Sequence, residues 1–250
     1  MKITIITVTL NSEATIENTI QSVLKQDYKN KEYIIIDGGS EDNTIKIVNK
    51  YKNKIKKILI EKDRGVYDAI NKGIDLARGS IISILHSNDI FYNSKVLSNI
   101  SKRFLQEKDV KIIIGDTKYS NNRRFFPTRY YSANFFKKFM MIFGYSPPHP
   151  SSFVKRDVYL KCGSYKYHYK TAGDFEFFLR VLLKNKVKYK LVNKCYVLMS
   201  PGGISDRGIK SYYNSTIEIL KAFRENKIYS NFFLILFRFP IKLGNFLVRL

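Results

Sequence analysis

Apolar residues in the first half of the chain fall into two alternating patterns. Short β-branched runs occur at Ile3–Leu10, Tyr33–Ile36, Ile55–Ile60, Ser80–Leu85 and Val110–Ile114. Such continuous runs predict strands buried on both faces. Between them apolar residues recur at helical spacing: Ile16, Ile20, Val23 and Leu24; Ile45, Val48 and Tyr51; Val66, Ile70, Ile74 and Ala77; Val96, Leu97, Ile100 and Phe104. Asn11-Ser12 and Asp42-Asn43 stand where helix N-caps are expected, and Gly79 where a helix stops. Strand and helix alternating five times over short connections predict a parallel α/β sheet, with a ligand site beyond the carboxyl ends of its strands.

The second half is less regular. Residues 121–131 are basic and aromatic and read as a loop, and Tyr145 to Pro150 as a rigid proline-rich turn. Helices are expected over Asp157–Cys162, Asp174–Leu183 and Tyr212–Phe223, and strands over Tyr189–Val192 and Tyr196–Met199. Gly202-Gly203 reads as a loop able to close over a ligand, or as an ordinary turn. The tail from Tyr229 to Leu250 is rich in Phe and Leu but broken by Arg238, Pro240, Lys242 and Arg249, so it falls short of the roughly 20 apolar residues of a bilayer span. It reads as an amphipathic interfacial segment on an anionic membrane surface, the alternative being a C-terminal helix packed on the core.

Composition sharpens this picture in three places. The 250 residues carry a formal net charge of +23, which points to polyanionic substrates, an anionic membrane or nucleic acid, although the scattered Lys, with much Asn and Ile, also fits a codon bias. Cys162 and Cys195 lie in no metal-ligand spacing and read as thiols of a reducing compartment. The N-terminus reads as a first strand rather than a signal peptide, so a cytoplasmic protein is expected. No GxGxxG follows the first strand and no GxxxxGK[ST] occurs, which argues against a dinucleotide site and a P-loop.

The polar tip His86-Ser87-Asn88-Asp89 follows the fourth apolar run, and a carboxylate there suits a phosphate-rich substrate held through a divalent metal. Five segments then occur in a telling order: TVTLNSEATIENTIQSVLKQ (7–26), IIIDGGSEDNT (34–44), DRGVYDAINKGIDLARGSIISILHSND (63–89), HPSSFVKRDVY (149–159) and AGDFEFFLR (172–180). Together they resemble the family 2 inverting nucleotide-sugar glycosyltransferases, and in the third segment a subgroup that builds bacterial surface polysaccharides. The resemblance implies a single Rossmann-like GT-A domain over 1–205, with a nucleotide-binding half (1–115), an acceptor half (116–205) and a helical extension (206–250). It implies a mostly parallel central sheet flanked by helices.

It also implies roles for individual residues. Thr9, Asn11 and Asp37 would hold the nucleoside, Asp37 accepting the imide N–H of uracil; from the residues alone, Asp37 to Ser40 also fits a plain turn. Asp89 would hold Mn²⁺ or Mg²⁺ and Asn88 the ribose, with Asn88 standing where the family usually has a second acid. Asp174 would be the general base, although its place at a helix start also fits a cap. Gly173 departs from the family's Glu-Asp pair, and Glu176 is the fallback base. His149 would contact the diphosphate or the acceptor, and Asp68 and Asn71 the sugar or diphosphate. Arg64 and Lys72 are candidate phosphate partners, and His86 reads as a polar strand end.

The expected activity is metal-dependent transfer of a sugar, from a UDP-sugar by preference, to a saccharide or lipid-linked acceptor at the inner face of the cytoplasmic membrane. A sugar-phosphate nucleotidyltransferase is disfavoured because Thr9 to Glu13 stand where its glycine-rich loop would be. A basic nucleic-acid-binding domain would rest on Arg123 to Tyr131, with no recognised motif beside it, and no nucleic-acid partner is expected.

Overall fold

The computed structural model describes residues 1–120, 127–200 and 209–247. One sheet takes in β1 (Ile3–Thr9), β2 (Lys31–Asp37), β3 (Lys57–Ile60), β4 (Ile81–Ile84), β5 (Asp89–Phe91), β6 (Ile112–Ser120), β7 (Pro127–Tyr131), β8 (Ser152–Lys155) and β9 (Tyr189–Met199). Its order is β3-β2-β1-β4-β8-β6-β9-β5, with β7 paired to β6. The first four of these strands are mutually parallel. β8 joins β4 to β6 in antiparallel fashion, and β9 runs parallel to β6. Helices α1 (Ile16–Leu24), α2 (Thr44–Asn49), α3 (Val66–Leu76), α4 (Val96–Gln106), α5 (Arg156–Cys162) and α6 (Gly173–Phe178) follow the strands, and α6 continues as a π-helix over Leu179–Lys184. The chain closes with α7 (Ile209–Asn226), α8 (Phe232–Leu236) and α9 (Arg238–Leu247).

Each central strand feeds two cores, because successive side chains point to opposite faces. Ile3 and Ile5 of β1 and Tyr33 and Ile35 of β2 join the cluster built on α1, α2 and α4. Ile6, Val8, Ile34 and Ile36 join the other, with α3, α5 and α6. This second core also takes Ile219, Ala222 and Phe223 from α7 and Ile235 from α8, so the C-terminal extension packs on the sheet's own core. The tail is therefore no detached segment, and among the described residues no helix is long and apolar enough to cross a membrane. The expected boundary between 205 and 206, the Gly202-Gly203 loop, Arg123 to Phe126 and Arg249 lie outside the described residues.

Local readings are revised where distant contacts decide. Part of the expected loop 121–131 is strand β7, drawn into the sheet by β6. The two strand candidates after Tyr189 are one strand, whose pairing with β6 shifts register around Asp116. Asn11-Ser12 does not cap α1, which starts at Ile16. Asn11 takes a φ of 46°, and the Ser12 hydroxyl bonds the Leu10 carbonyl and the Ser87 hydroxyl instead.

Candidate functional site

A cavity of about 940 Å³ opens beyond the carboxyl ends of β1 and β4, between α3, α6, α7 and α9. Thr9, Asn88, Asp89, His149 and Asp174 all line it. The two acidic residues expected to act together therefore share one space although they lie far apart in sequence.

Asp89 owes its position to neighbours on both sides. The Thr19 hydroxyl of α1 donates to the Ser87 and Asp89 carbonyls (2.9 and 2.8 Å), and Asp89 opens β5, where it pairs with Met199 of β9. Its side chain is wholly buried, and neither carboxylate oxygen has a hydrogen-bond partner. Burial pushes its pKa up to about 8. A buried acid is almost always paired, and two orphaned oxygens in a cavity wall are the donor set a hard divalent cation takes, the rest of its shell coming from water and phosphate. Among the described residues no group of three or more His, Cys, Asp or Glu gathers to hold a metal alone, so a cation here would depend on substrate oxygens. The Thr9 hydroxyl, also buried, likewise lacks a partner.

Asp174 sits in the first turn of α6, and Ala172 takes the capping position. Its Oδ1 accepts from the Phe175 N–H at 2.8 Å and the Tyr67 hydroxyl at 3.4 Å. Burial, partly offset by the Phe175 N–H, raises its pKa above the usual carboxylate range. Gly173 has a steric reason to be glycine: a Cβ there would lie 2.7 Å from the Tyr67 ring. The ring that serves Asp174 thus occupies the space a glutamate at 173 would need. Glu218 of α7 sets the approach to α6, accepting from the Lys170, Thr171 and Ala172 N–H groups at 2.8 Å each.

His149 Nε2 pairs with the Tyr165 hydroxyl at 2.8 Å, and the His86 ring lies 6.1 Å from that of His149. Burial pushes both imidazoles down to about 4, so both are neutral near pH 7.

Four expected contacts are not among the cavity's described lining residues, and their side chains have partners within the protein. Asp37 closes its own turn, accepting from the Gly39 and Ser40 N–H groups and the Ser40 hydroxyl. The Asn11 side chain accepts from the Glu41 N–H. Asp68 pairs with Arg64 and Lys72, which also occupies those two cations. Asn71 brackets the Tyr165 backbone with both amide atoms (2.7 and 2.9 Å). Glu176, the fallback base, is fully buried against Arg180, Lys166 and Asn226. Conversely, Asp63, Tyr67 and Arg238 line the cavity without having been expected there. Asp63 and Tyr67 lie inside the segment DRGVYDAIN, where an acid and an aromatic flanking a glycine were the available signal.

The chain matches the family described as Glycosyl transferase family 2 over residues 4–160. It is 27% identical over 179 residues to a PGL/p-HBAD biosynthesis glycosyltransferase of Mycobacterium bovis, an alignment covering 70% of this chain and 68% of that one. Among solved structures it is similar to S. aureus TarS 1–349 in complex with UDP-GlcNAc (TM-score 0.68, 21% identity, 89% of this chain and 66% of that one). It is also similar to the mannosyltransferase PcManGT of Pyrobaculum calidifontis in complex with GDP-Man and Mn²⁺ (TM-score 0.65, 16% identity, 90% and 63%). The chain thus spans less than two thirds of either solved chain.

Proposed function

Since the chain belongs to glycosyl transferase family 2 and is a glycosyltransferase of the GT-A fold, we propose that it moves a sugar from a nucleoside-diphosphate sugar, preferentially a UDP-sugar, to a saccharide or lipid-linked acceptor of a cell-surface polysaccharide. The observation that carries this reading is Asp89, a buried carboxylate with two unpartnered oxygens in the wall of a cavity that also receives Asp174. Thr9, Asp63 and Asn88 line the strand-end side, where the nucleoside and ribose would rest. Asp89 would hold Mg²⁺ or Mn²⁺ together with the donor's phosphates, and the bound cation would stabilise charge on the departing diphosphate.

Asp174 is the base of this reaction. Among the described residues none bonds its Oδ2, which is left to take the acceptor's hydroxyl proton, while Tyr67 and the Phe175 N–H fix the carboxylate through Oδ1. The freed oxygen attacks the anomeric carbon, the bond to the diphosphate oxygen breaks with its electron pair, and the carbon inverts. A raised pKa suits a carboxylate that must accept a proton near neutral pH. The membrane-facing surface in this proposal is aromatic. Phe233 and Phe237 of the tail are 76% and 57% exposed, and Phe143 of the 3-10 turn Lys138–Phe143 packs on Phe237.

Calorimetry of UDP binding with and without manganese tests the assignment. Asp89→Ala should abolish the metal-dependent part of binding; unchanged binding would remove Asp89 from the metal site. Asp174→Asn should bind the donor normally and lose at least 10²-fold in turnover, and full turnover would reassign the base.

A further inference from the structure

Arg238, the first residue of α9, is 2% exposed yet lines the cavity. Its guanidinium donates to the Thr216 hydroxyl (2.8 Å), the Tyr212 carbonyl (3.2 Å) and, at 3.5 Å, the Ser215 hydroxyl. All three acceptors are uncharged and belong to α7, and its Nε has no partner. Among the described residues no carboxylate lies within ion-pair distance. A fully buried cation without a counter-ion is strongly disfavoured, and a guanidinium fork matches the geometry of phosphate oxygens.

Among the described residues the cavity's lysines are Lys170, ahead of α6, and Lys242. Its carboxylates, Asp63, Asp89 and Asp174, come from the segment between β3 and α3, the start of β5 and α6. Arg238 and Lys242, one helical turn apart, come from α9 on the wall that the C-terminal helices build.

We propose that Arg238 is a phosphate subsite for the acceptor. The preferred acceptor then carries a phosphate group, which supplies the counter-ion that the protein lacks. This rests on the glycosyltransferase reading only for the word acceptor, since the phosphate site itself follows from the orphaned guanidinium.

The test is calorimetric titration of inorganic phosphate into the full-length protein, free and then saturated with UDP and magnesium. Phosphate should bind in both states, because the donor leaves the subsite open. Arg238→Gln should weaken it at least tenfold, and Arg238→Lys, which keeps the charge but loses the fork, by less. Thr216→Val, which keeps the cation and removes a bond that orients it, should weaken phosphate severalfold and decides the matter if Arg238→Gln does not fold. In turnover assays Arg238→Lys should raise KM for a phosphorylated acceptor and leave donor KM unchanged. Absence of phosphate binding, or binding that both Arg238→Lys and Thr216→Val leave intact, overturns the proposal. Displacement of phosphate by UDP also overturns it, assigning Arg238 to the donor's diphosphate. Failure of the glycosyltransferase reading would show separately, as wild-type protein that binds phosphate but no nucleotide.

Discussion

Burying a carboxylate without a partner works against the fold, and Asp89 makes the effect measurable. An unfolded aspartate titrates near about 3.9, whereas the folded Asp89 titrates at about 8. The folded form binds the proton more tightly, so this residue's contribution is favourable below about 4 and is lost as pH rises through about 8. Asp89→Asn removes the ionisation. In metal-free protein the melting temperature of the variant should pull ahead of the wild type across that window and stay ahead above it, and a gap that does not change with pH would contradict the account. Asp174 shifts in the same direction but has a donor to moderate it. The Tyr67 hydroxyl favours its ionised form, so Tyr67→Phe should push its pKa further up. The acid limb of kcat/KM should then move to higher pH, as a pH–rate profile would show.

Among the elements, α7 acts on the site through Glu218, which gathers three backbone N–H groups and the Thr171 hydroxyl ahead of α6. Glu218→Ala leaves those donors without their acceptor. It should cost about 1–3 kcal/mol of stability, read from denaturant unfolding, and lower kcat more than it raises donor KM. The parallel half of the sheet was legible because its signals are local: unbroken β-branched runs such as Ile34 to Ile36, and helical spacing such as Ile16, Ile20 and Val23. β7, the fusion of β9 and the π-turn after Phe178 were not, since they depend on partners remote in sequence. The place of Asp89 and Asp174 in one cavity was legible through motifs. Asp37 and Asn71 lie in the same kind of motif, and in this structure their side chains bond backbone groups of Gly39, Ser40 and Tyr165. Arg238 read as a headgroup cation, since nothing nearby in sequence announces that Thr216 and Tyr212 enclose it.

At the scale of the whole molecule, the proposed membrane contact would combine the charge of +23 with the exposed aromatic edge around α8. Basic residues draw a protein to an anionic leaflet and aromatic rings hold it there. Cosedimentation with phosphatidylglycerol vesicles should fall with salt for the wild type, and Phe233→Asp with Phe237→Asp should abolish it while leaving UDP binding intact. Vesicle binding that this pair of changes spares would place the contact elsewhere. The second core draws Ile219, Phe223 and Ile235 from the end of the chain, and the cavity draws Arg238 and Lys242 from still later. The cavity's Arg238 and Lys242 thus come from beyond residues 4–160, the part that matches the family, so a chain that shares the family region need not share this basic wall.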